Sequence, residues 1–245
     1  MRALRILLIV VIVLGGLFVA ADRVAAHFAE GEAADKLRTT ENLAATPDVS
    51  INGFPFLTQL ASGELDDVDV RIEDYRAAGG TGGRTIRIDD LRAHMKGVEF
   101  SGDYSSAIAA SAAGTATISY AELLKAAEPE PVQVAPGVRA RVVGLSDGGN
   151  GKIKVAVEAT VLGRKLPEPV SVLSSVTVEH DTVRVHADSL PSIAGTRIAE
   201  NTVRSITDFQ QVIDELPGGI RLDKVEAAKQ GVQISVKGSH VRLAG

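Results

Sequence analysis

The residues that could support metal binding or acid–base chemistry in this chain are its histidines and a short group of aspartates. The sequence has five histidines and no cysteine, so a thiolate metal site, a cysteine nucleophile and a disulfide framework are excluded. The histidines lie at His27, His94, His180, His186 and His240. None of them has the spacing of a metal-binding helix, and only His180 and His186 share one predicted hairpin. We therefore predict no metal site and no cofactor.

The aspartates lie in the segment LDDVDVRI, at Asp66, Asp67 and Asp69. A calcium loop also needs a glycine at the turn and a distal glutamate, and this segment has neither. The alternation of valine with aspartate instead indicates a strand with one acidic, solvated face. No G-x-S-x-G motif or other nucleophile motif occurs in the chain. The sequence thus predicts no catalytic residue and a protein that is not an enzyme.

Period-two alternation places these residues among antiparallel strands. KIKVAVEATV alternates valine and isoleucine with charged residues, and two later segments each form a predicted hairpin with a short turn. These strand predictions cover residues 49–51, 65–72, 85–89, 152–161, 176–185 and 220–236. Nothing alternates like a parallel βαβ sheet, which argues against a dinucleotide-binding fold, and an α+β class is predicted.

Three further segments have helical signals. FPFLTQLASG has Pro55 at its start and Gly63 as its stop, which predicts a two-turn helix. The segment 119–127 opens with Ser119 followed three residues later by Glu122, the pattern of a capping box. The stripe of apolar residues over 202–216 predicts a longer helix.

The N-terminal region combines two positive charges with an apolar run. Arg2 and Arg5 precede the uncharged residues 6–21, and the helix pattern of residues 22–46 places Val24, Phe28, Ala34 and Leu37 near one face. The run would reach about 24 Å as a helix, somewhat less than the ~30 Å hydrocarbon core. It is either a signal peptide or a membrane anchor, and both place the rest of the chain, including a domain over residues 47–245, outside the cytoplasm.

Charge excludes one class of partner. The formal charge is −5 including Arg2 and Arg5, so the remainder of the chain carries −7. Nucleic-acid-binding domains are typically basic, so no nucleic acid is expected as a partner. The apolar faces of the sheet and helices either pack into a filled core or leave a groove for an acyl chain, and periodicity alone does not separate these two arrangements.

One block is more specific than these patterns. VSINGFPFLTQLASGELDDVDVRI contains Val49, Ile51, the run Gly53–Gln59, Gly63, the Asp66–Asp67 pair, Val68 and Val70. This block resembles the hallmark of the LmeA-like phospholipid-binding family of actinobacterial envelope proteins. The segments GTATISYAELLKA and LPGGIRLDKVEAAKQGVQISVKGSHVRL, and the N-terminal ADRVAAHFAE, extend the resemblance over nearly the whole chain.

The resemblance implies a fold and a ligand. The fold is a curved antiparallel sheet wrapped around a long N-terminal helix, of the tubular lipid-binding type, preceded by the apolar helix. The implied ligand is a phospholipid, phosphoinositides included, taken up at the outer face of the cytoplasmic membrane. The family is linked to maturation of mannan-type envelope glycolipids.

From these expectations we predict the residues that contact lipid. They line or gate the groove and are Phe54, Phe56, Leu57, Leu60, Phe209 and Ile213, with Arg71 as a headgroup ligand. Pro55 fixes the small helix that presents the first four. The alternative is that this aromatic cluster plugs one end of a solid core.

Two other classes of function stay open on the sequence alone. The protein could be an envelope adaptor that binds another protein through an exposed strand edge, without lipid, or an envelope enzyme whose ionisable side chains meet only in the fold. The sequence does not determine the oligomeric state, the headgroup preference or whether the N-terminal segment is cleaved.

Overall fold

The protein is α+β, with a long apolar N-terminal helix and a strongly curled antiparallel sheet that forms a half-barrel, as the resemblance implied. The computed structural model describes residues 2–79, 84–102, 106–127, 130–179, 182–188, 209–212 and 219–244. Every strand pairing among these residues is antiparallel. The described strands form two sheets.

The first sheet, sheet A, carries the curl. Its strand order is β1 (Asp48–Asn52), β2 (Glu64–Gly79), β3 (Arg84–Phe100), β4 (Ala107–Ser119), β13 (Gly231–Ala244) and β12 (Ile220–Ala228). Long central strands allow the right-handed twist to accumulate, so the sheet closes part of the way around an axis.

The second sheet, sheet B, is built from the middle of the chain. Its order is β11 (Phe209–Val212), β10 (Thr182–Ala187), β9 (Val170–Glu179), β7 (Lys152–Val161), β6 (Val138–Gly149) and β5 (Val132–Ala135), with β8 (Arg164–Lys165) paired to β7. The apolar face of β7 and β9 packs against β12 and β13. This packing joins the two sheets through one core, in which Val172 is only 1% exposed.

In the described part of the chain, three helices accompany the sheets: α1 (Arg2–Thr40), α2 (Phe56–Ser62) and α3 (Tyr120–Ala127). The predicted caps are confirmed, because Gly63 ends α2 in the left-handed region at φ 79° and Ser119 Oγ accepts a hydrogen bond from the Glu122 N–H at 3.4 Å. α1 is continuous through both the apolar run and the following segment, and it is long and apolar enough to cross a membrane.

The buried face of α1 differs in part from the predicted one. Ala34 is buried as predicted, but Val24 and Phe28 are 68% and 76% exposed, and Asp22 and Ala26 are buried instead. Small side chains at i, i+4 spacing let the helix approach the sheet closely, so the alanines and not the larger residues face it.

The helix predicted over residues 202–216 is wrong over Phe209–Val212, which form β11. This segment pairs antiparallel with the exposed edge of β10, with Val185 opposite Phe209. Backbone pairing at an open sheet edge outweighs the small differences in intrinsic propensity that favoured a helix. The rest of the predicted helix lies outside the described residues.

A transverse crease crosses four strands of sheet A. Pairing skips one row, formed by Asp66, Gly97, Ala110 and His240, and resumes on both sides in the same register. Gly97 and His240 have φ values of 57° and 52°. Left-handed residues within a strand bend it locally, so this row contributes to the curl.

The crease keeps apolar residues on one side of the sheet. Leu65 and Val68 on β2 both join the apolar cluster beneath α1, as do Val98 and Met95 on β3. A separation of three residues would place each pair on opposite faces of a regular strand. The reversal at the crease therefore gives sheet A one continuous apolar face, called here the inner face; the opposite side is the outer face.

Candidate functional site

An apolar cavity of about 390 Å³ lies between α1, α2 and the inner face of sheet A. Only alanine, valine, isoleucine, leucine, methionine and phenylalanine line it. They include Ala29, Ala33, Val49, Phe56, Leu60 and Val98. Such a lining can bind hydrocarbon and offers no charged or polar side chain to a ligand.

A second cavity of about 210 Å³ continues along the same face. Its lining includes Val70, Ile72, Leu91, Ala112, Gly114 and Val236. Both cavities are also lined by Met95 and Leu243, so they adjoin. We call the two together the groove; its size is that of a small-molecule binding site.

Small residues on β4 leave the space for the groove. Ala112 and Gly114 lie in the middle of sheet A beneath the groove, and longer side chains at these two residues would fill the groove. A Cβ atom at Gly114 would already lie 3.0 Å from Val236 Cγ2. The alanine-rich sequence of β4 gives a weak periodic signal, so the sequence did not identify this strand as the floor of a cavity.

The structure divides the predicted aromatic cluster into buried and exposed members. Phe56 is 2% exposed and packs in the core, as the plug alternative expects, although it also lines the groove together with Leu60. Phe54, Leu57 and Leu60 are 55%, 36% and 38% exposed. The block thus has one core residue and three apolar residues that reach the surface beside the groove.

The glycine and glutamine of the same block hold its backbone. Gln59 is buried, and its Oε1 accepts a hydrogen bond from the Asp66 N–H at 2.8 Å. A Cβ atom at Gly53 would lie 2.5 Å from Gln59 Nε2, and Gly53 has φ 94°. Only glycine fits at residue 53, because any side chain would meet both the buried amide and an unfavourable backbone conformation.

The block is fastened to α1 by Asp22, which is fully buried. Its Oδ1 accepts a hydrogen bond from the Leu57 N–H at 2.9 Å, and its Oδ2 accepts one from Arg23 Nη2 at 2.6 Å. The same Arg23 Nη2 donates to the Gly53 carbonyl at 3.0 Å. On the sequence, Asp22 only marked the end of the apolar run, and its role as an acceptor for α2 was not predicted.

Aromatic contacts extend this junction toward the N-terminus. The Arg23 guanidinium lies 5.4 Å from the Phe54 ring centroid, and the Phe54 ring meets Phe18 edge-on at 6.5 Å between centroids. Further along α1, Glu30 Oε1 accepts a hydrogen bond from the Ile51 N–H at 2.9 Å. α1 is thus fixed to the domain along several turns. We call the contacts of Phe18, Asp22 and Arg23 with Gly53, Phe54 and Leu57 the α1 junction.

Arg71 lies on the outer face and does not line the groove. It lines a polar hollow of about 410 Å³ and pairs with Asp90 at 3.0 Å and Glu73 at 3.1 Å. The hydrogen bond to Asp90 raises the pKa of Arg71. Burial opposes ionisation of Asp90, but hydrogen bonds from Arg92 and Arg71 leave its pKa below the ordinary value. The structure does not bring Arg71 together with the predicted acyl-chain residues.

The acidic face of β2 gathers one histidine. Asp67, Asp69 and His94 place one ligand atom each within 4.8 Å of one another on the outer face, an arrangement that could hold a metal ion. His94 Nδ1 lies 2.7 Å from Asp69 Oδ1, and Asn52 Nδ2 donates to both carboxylates at 2.9 Å. These mutual contacts account for the cluster as a hydrogen-bonded polar strand face.

The remaining predicted lipid contacts are not part of the groove as described. Phe209 lies on β11 at the edge of sheet B, whereas the groove belongs to sheet A. Ile213 lies outside the described residues. Both stay predictions.

Comparison with known proteins gives one match. The sequence model of a family described as LmeA-like phospholipid-binding matches residues 20–237. No curated protein and no solved structure matches the chain. The matched range contains the whole groove lining except Leu243 and Val241, and most of the α1 junction.

Proposed function

The chain belongs to the LmeA-like phospholipid-binding family, and on that premise we propose that it holds the acyl chains of a phospholipid in the groove. It acts as a binding protein and not as an enzyme. We propose that it works at the outer face of the cytoplasmic membrane, where it supports assembly or transport of envelope lipids or glycolipids.

The apolar groove is the observation that carries this proposal. Two adjoining cavities of about 390 and 210 Å³ have almost exclusively apolar linings, and Phe54, Leu57 and Leu60 are partly exposed next to the first. A buried methylene group contributes about 0.8 kcal/mol, so an acyl chain of ordinary length gains several kcal/mol from such a lining. Arg92 is the one charged residue among the described residues of these linings, so a headgroup finds little polar surface there and would stay outside the groove.

The proposed location at the outer face of the membrane is inferred from α1. Arg2 and Arg5 precede the apolar residues 6–21, and positive residues before a membrane segment favour a cytoplasmic N-terminus. The α1 junction ties the last turns of this run to the folded domain, which favours a retained anchor over a cleaved signal peptide. In this proposal residues 1–21 are the anchor, 22–46 the connecting helix and 47–245 the lipid-binding domain.

The test is to identify lipid that copurifies with the full chain. The protein is purified from membranes in mild detergent, washed, extracted with organic solvent and analysed by mass spectrometry. We expect phospholipid in a fixed ratio to protein, and the spectra also reveal the headgroup, phosphoinositides included.

Two variants separate groove lipid from lipid around the anchor. Ala112→Phe fills the second cavity, whereas Ser111→Phe adds the same ring at the preceding residue, which is exposed, pairs with Lys96 and lines neither cavity. We expect less lipid with Ala112→Phe and an unchanged amount with Ser111→Phe. Equal lipid in all three proteins would overturn the proposal and favour an adaptor without bound lipid.

A further inference from the structure

Phe54 lies beside the apolar run of α1 and not beyond it. Its ring meets Phe18 edge-on at 6.5 Å, and Phe18 precedes Ala21, the last residue of the run, by three positions. At 1.5 Å per residue, Phe18 lies about 4.5 Å inside the end of the run along the helix axis. A membrane that accommodates residues 6–21 therefore also surrounds the position of Phe54.

From this geometry we infer that Phe54 and Leu57 insert into the outer leaflet of the bilayer that holds α1. The inference rests on the proposed anchor and adds a second, domain-borne contact with lipid. Both side chains are apolar and substantially exposed, at 55% and 36%. Much of their apolar surface is therefore in contact with water unless a bilayer covers it.

Arg23 suits the polar boundary of the same contact. It lies two residues after the run, its side chain is 45% exposed, and its guanidinium stacks at 5.4 Å on the Phe54 ring. A long cationic side chain at this level can keep its charge among phosphate groups while its methylenes cover apolar surface. The α1 junction thus has its aromatic part toward the hydrocarbon and its charged part toward the headgroups.

The inserted residues would also connect the bilayer with the groove. Ala29 and Ala33 line the first cavity and lie about 12–18 Å beyond the end of the apolar run along α1. Leu60 belongs to the same lining and is 38% exposed on α2, one helical turn after Leu57. An acyl chain that moves from the leaflet past Phe54, Leu57 and Leu60 therefore meets apolar side chains until it enters the groove.

The absence of tryptophan makes the inference directly measurable. We would replace Phe54 with tryptophan in the full chain and reconstitute it in vesicles of phosphatidylcholine and phosphatidylglycerol. Quenching would be compared for lipids brominated near the carboxyl end or near the methyl end of their acyl chains. Leu162→Trp is the control, because Leu162 is 83% exposed in the turn between β7 and β8 of sheet B.

We expect Phe54→Trp to emit at shorter wavelength than Leu162→Trp and to be quenched several-fold more strongly, most by bromines near the carboxyl end. Leu57→Trp should behave in the same way, which covers the case in which Phe54→Trp disturbs the junction. Quenching of both variants no stronger than that of Leu162→Trp would overturn the inference.

Brominated lipid inside the groove must be distinguished from the bilayer. The same measurement is repeated with Phe54→Trp combined with Ala112→Phe, which fills part of the groove. Unchanged quenching supports contact with the bilayer, even if lipid extraction fails to support the binding proposal. Quenching that disappears in the double variant assigns the signal to groove lipid and overturns the inference.

Discussion

Filling the groove at Ala112 should shorten the acyl chain that the protein can bind. Ala112 is half-buried on the inner face and lines the second cavity. A phenylalanine there occupies the part of the groove more distant from α2, while the first cavity of about 390 Å³ stays open. The perturbation thus removes capacity for the end of a chain without touching its entrance.

The expected magnitude follows from the volume of the second cavity, about 210 Å³. A methylene group occupies about 30 Å³, close to the volume per molecule in liquid water, so the second cavity holds roughly seven methylenes. At about 0.8 kcal/mol each, full burial would contribute roughly 5–6 kcal/mol. Because the second cavity is only partly enclosed, we take about half, or ~3 kcal/mol, which corresponds to a roughly hundredfold weaker Kd for long chains.

The assay is titration calorimetry or displacement of a fluorescent lipid, with phospholipids of graded acyl-chain length. For the unaltered chain, affinity should rise with chain length until both cavities are filled. For Ala112→Phe the rise should stop earlier, with short-chain lipids bound as before, and the control Ser111→Phe, which lies outside both linings, should match the unaltered chain. An equal loss at all chain lengths, or the same loss with Ser111→Phe, would refute the reasoning.

Two further predictions concern the stability of the folded domain. Gly53→Ala should lower the free energy of unfolding by about 1–3 kcal/mol, because residue 53 has φ 94° and the new Cβ meets Gln59 Nε2. The control in thermal melts is Gly151→Ala, which has φ 72° but no neighbouring atom within 4 Å of the new Cβ, so its free energy of unfolding should fall by less. The hydrogen bond from Ser175 and the ion pair with Lys152 lower the pKa of Asp188 from its ordinary 3.8. The stabilisation from ionised Asp188 is therefore complete at pH values above 3.8 and is lost as the pH falls through the lowered pKa. Asp188→Asn should make Tm fall less steeply with decreasing pH in that acidic range. A decrease in Tm equal to that of the unaltered chain would contradict this assignment.

Local patterns predicted most of the strands because each signal lies within a few residues. β7 and the hairpin of β12 and β13 follow from alternating valine and isoleucine, and the buried positions Ile153, Val155 and Val157 are those that the alternation assigned to one face. The caps of α2 and α3 were also predictable from the sequence, because Gly63 ends α2 and Ser119 begins α3 through local contacts. The family resemblance supplied the curl and the lipid.

The errors came from segments whose conformation depends on distant partners. Phe209–Val212 has a helical stripe, but the open edge of β10 pairs with it as a strand. The predicted face of α1 included Val24 and Phe28 beside Ala34, whereas close approach to β1 selects only small side chains, Ala26 and Ala34. In both cases the competing contact lies tens of residues away in the chain, so a local window does not contain it.

The sequence by itself determined the antiparallel α+β class, the apolar N-terminal segment, the lack of cysteine chemistry and the family to which the Gly-Phe-Pro-Phe-Leu block belongs. Only the tertiary structure decided that the groove exists, that Asp22 and Arg23 hold that block, and that Arg71 lies on the opposite face. The physical reason is that periodicity reports which side of an element is apolar, whereas an open cavity depends on the sizes of side chains from several strands. Ala112 and Gly114 on β4 leave space, and their larger partners Met95 on β3 and Val236 on β13 form the walls of the same cavity.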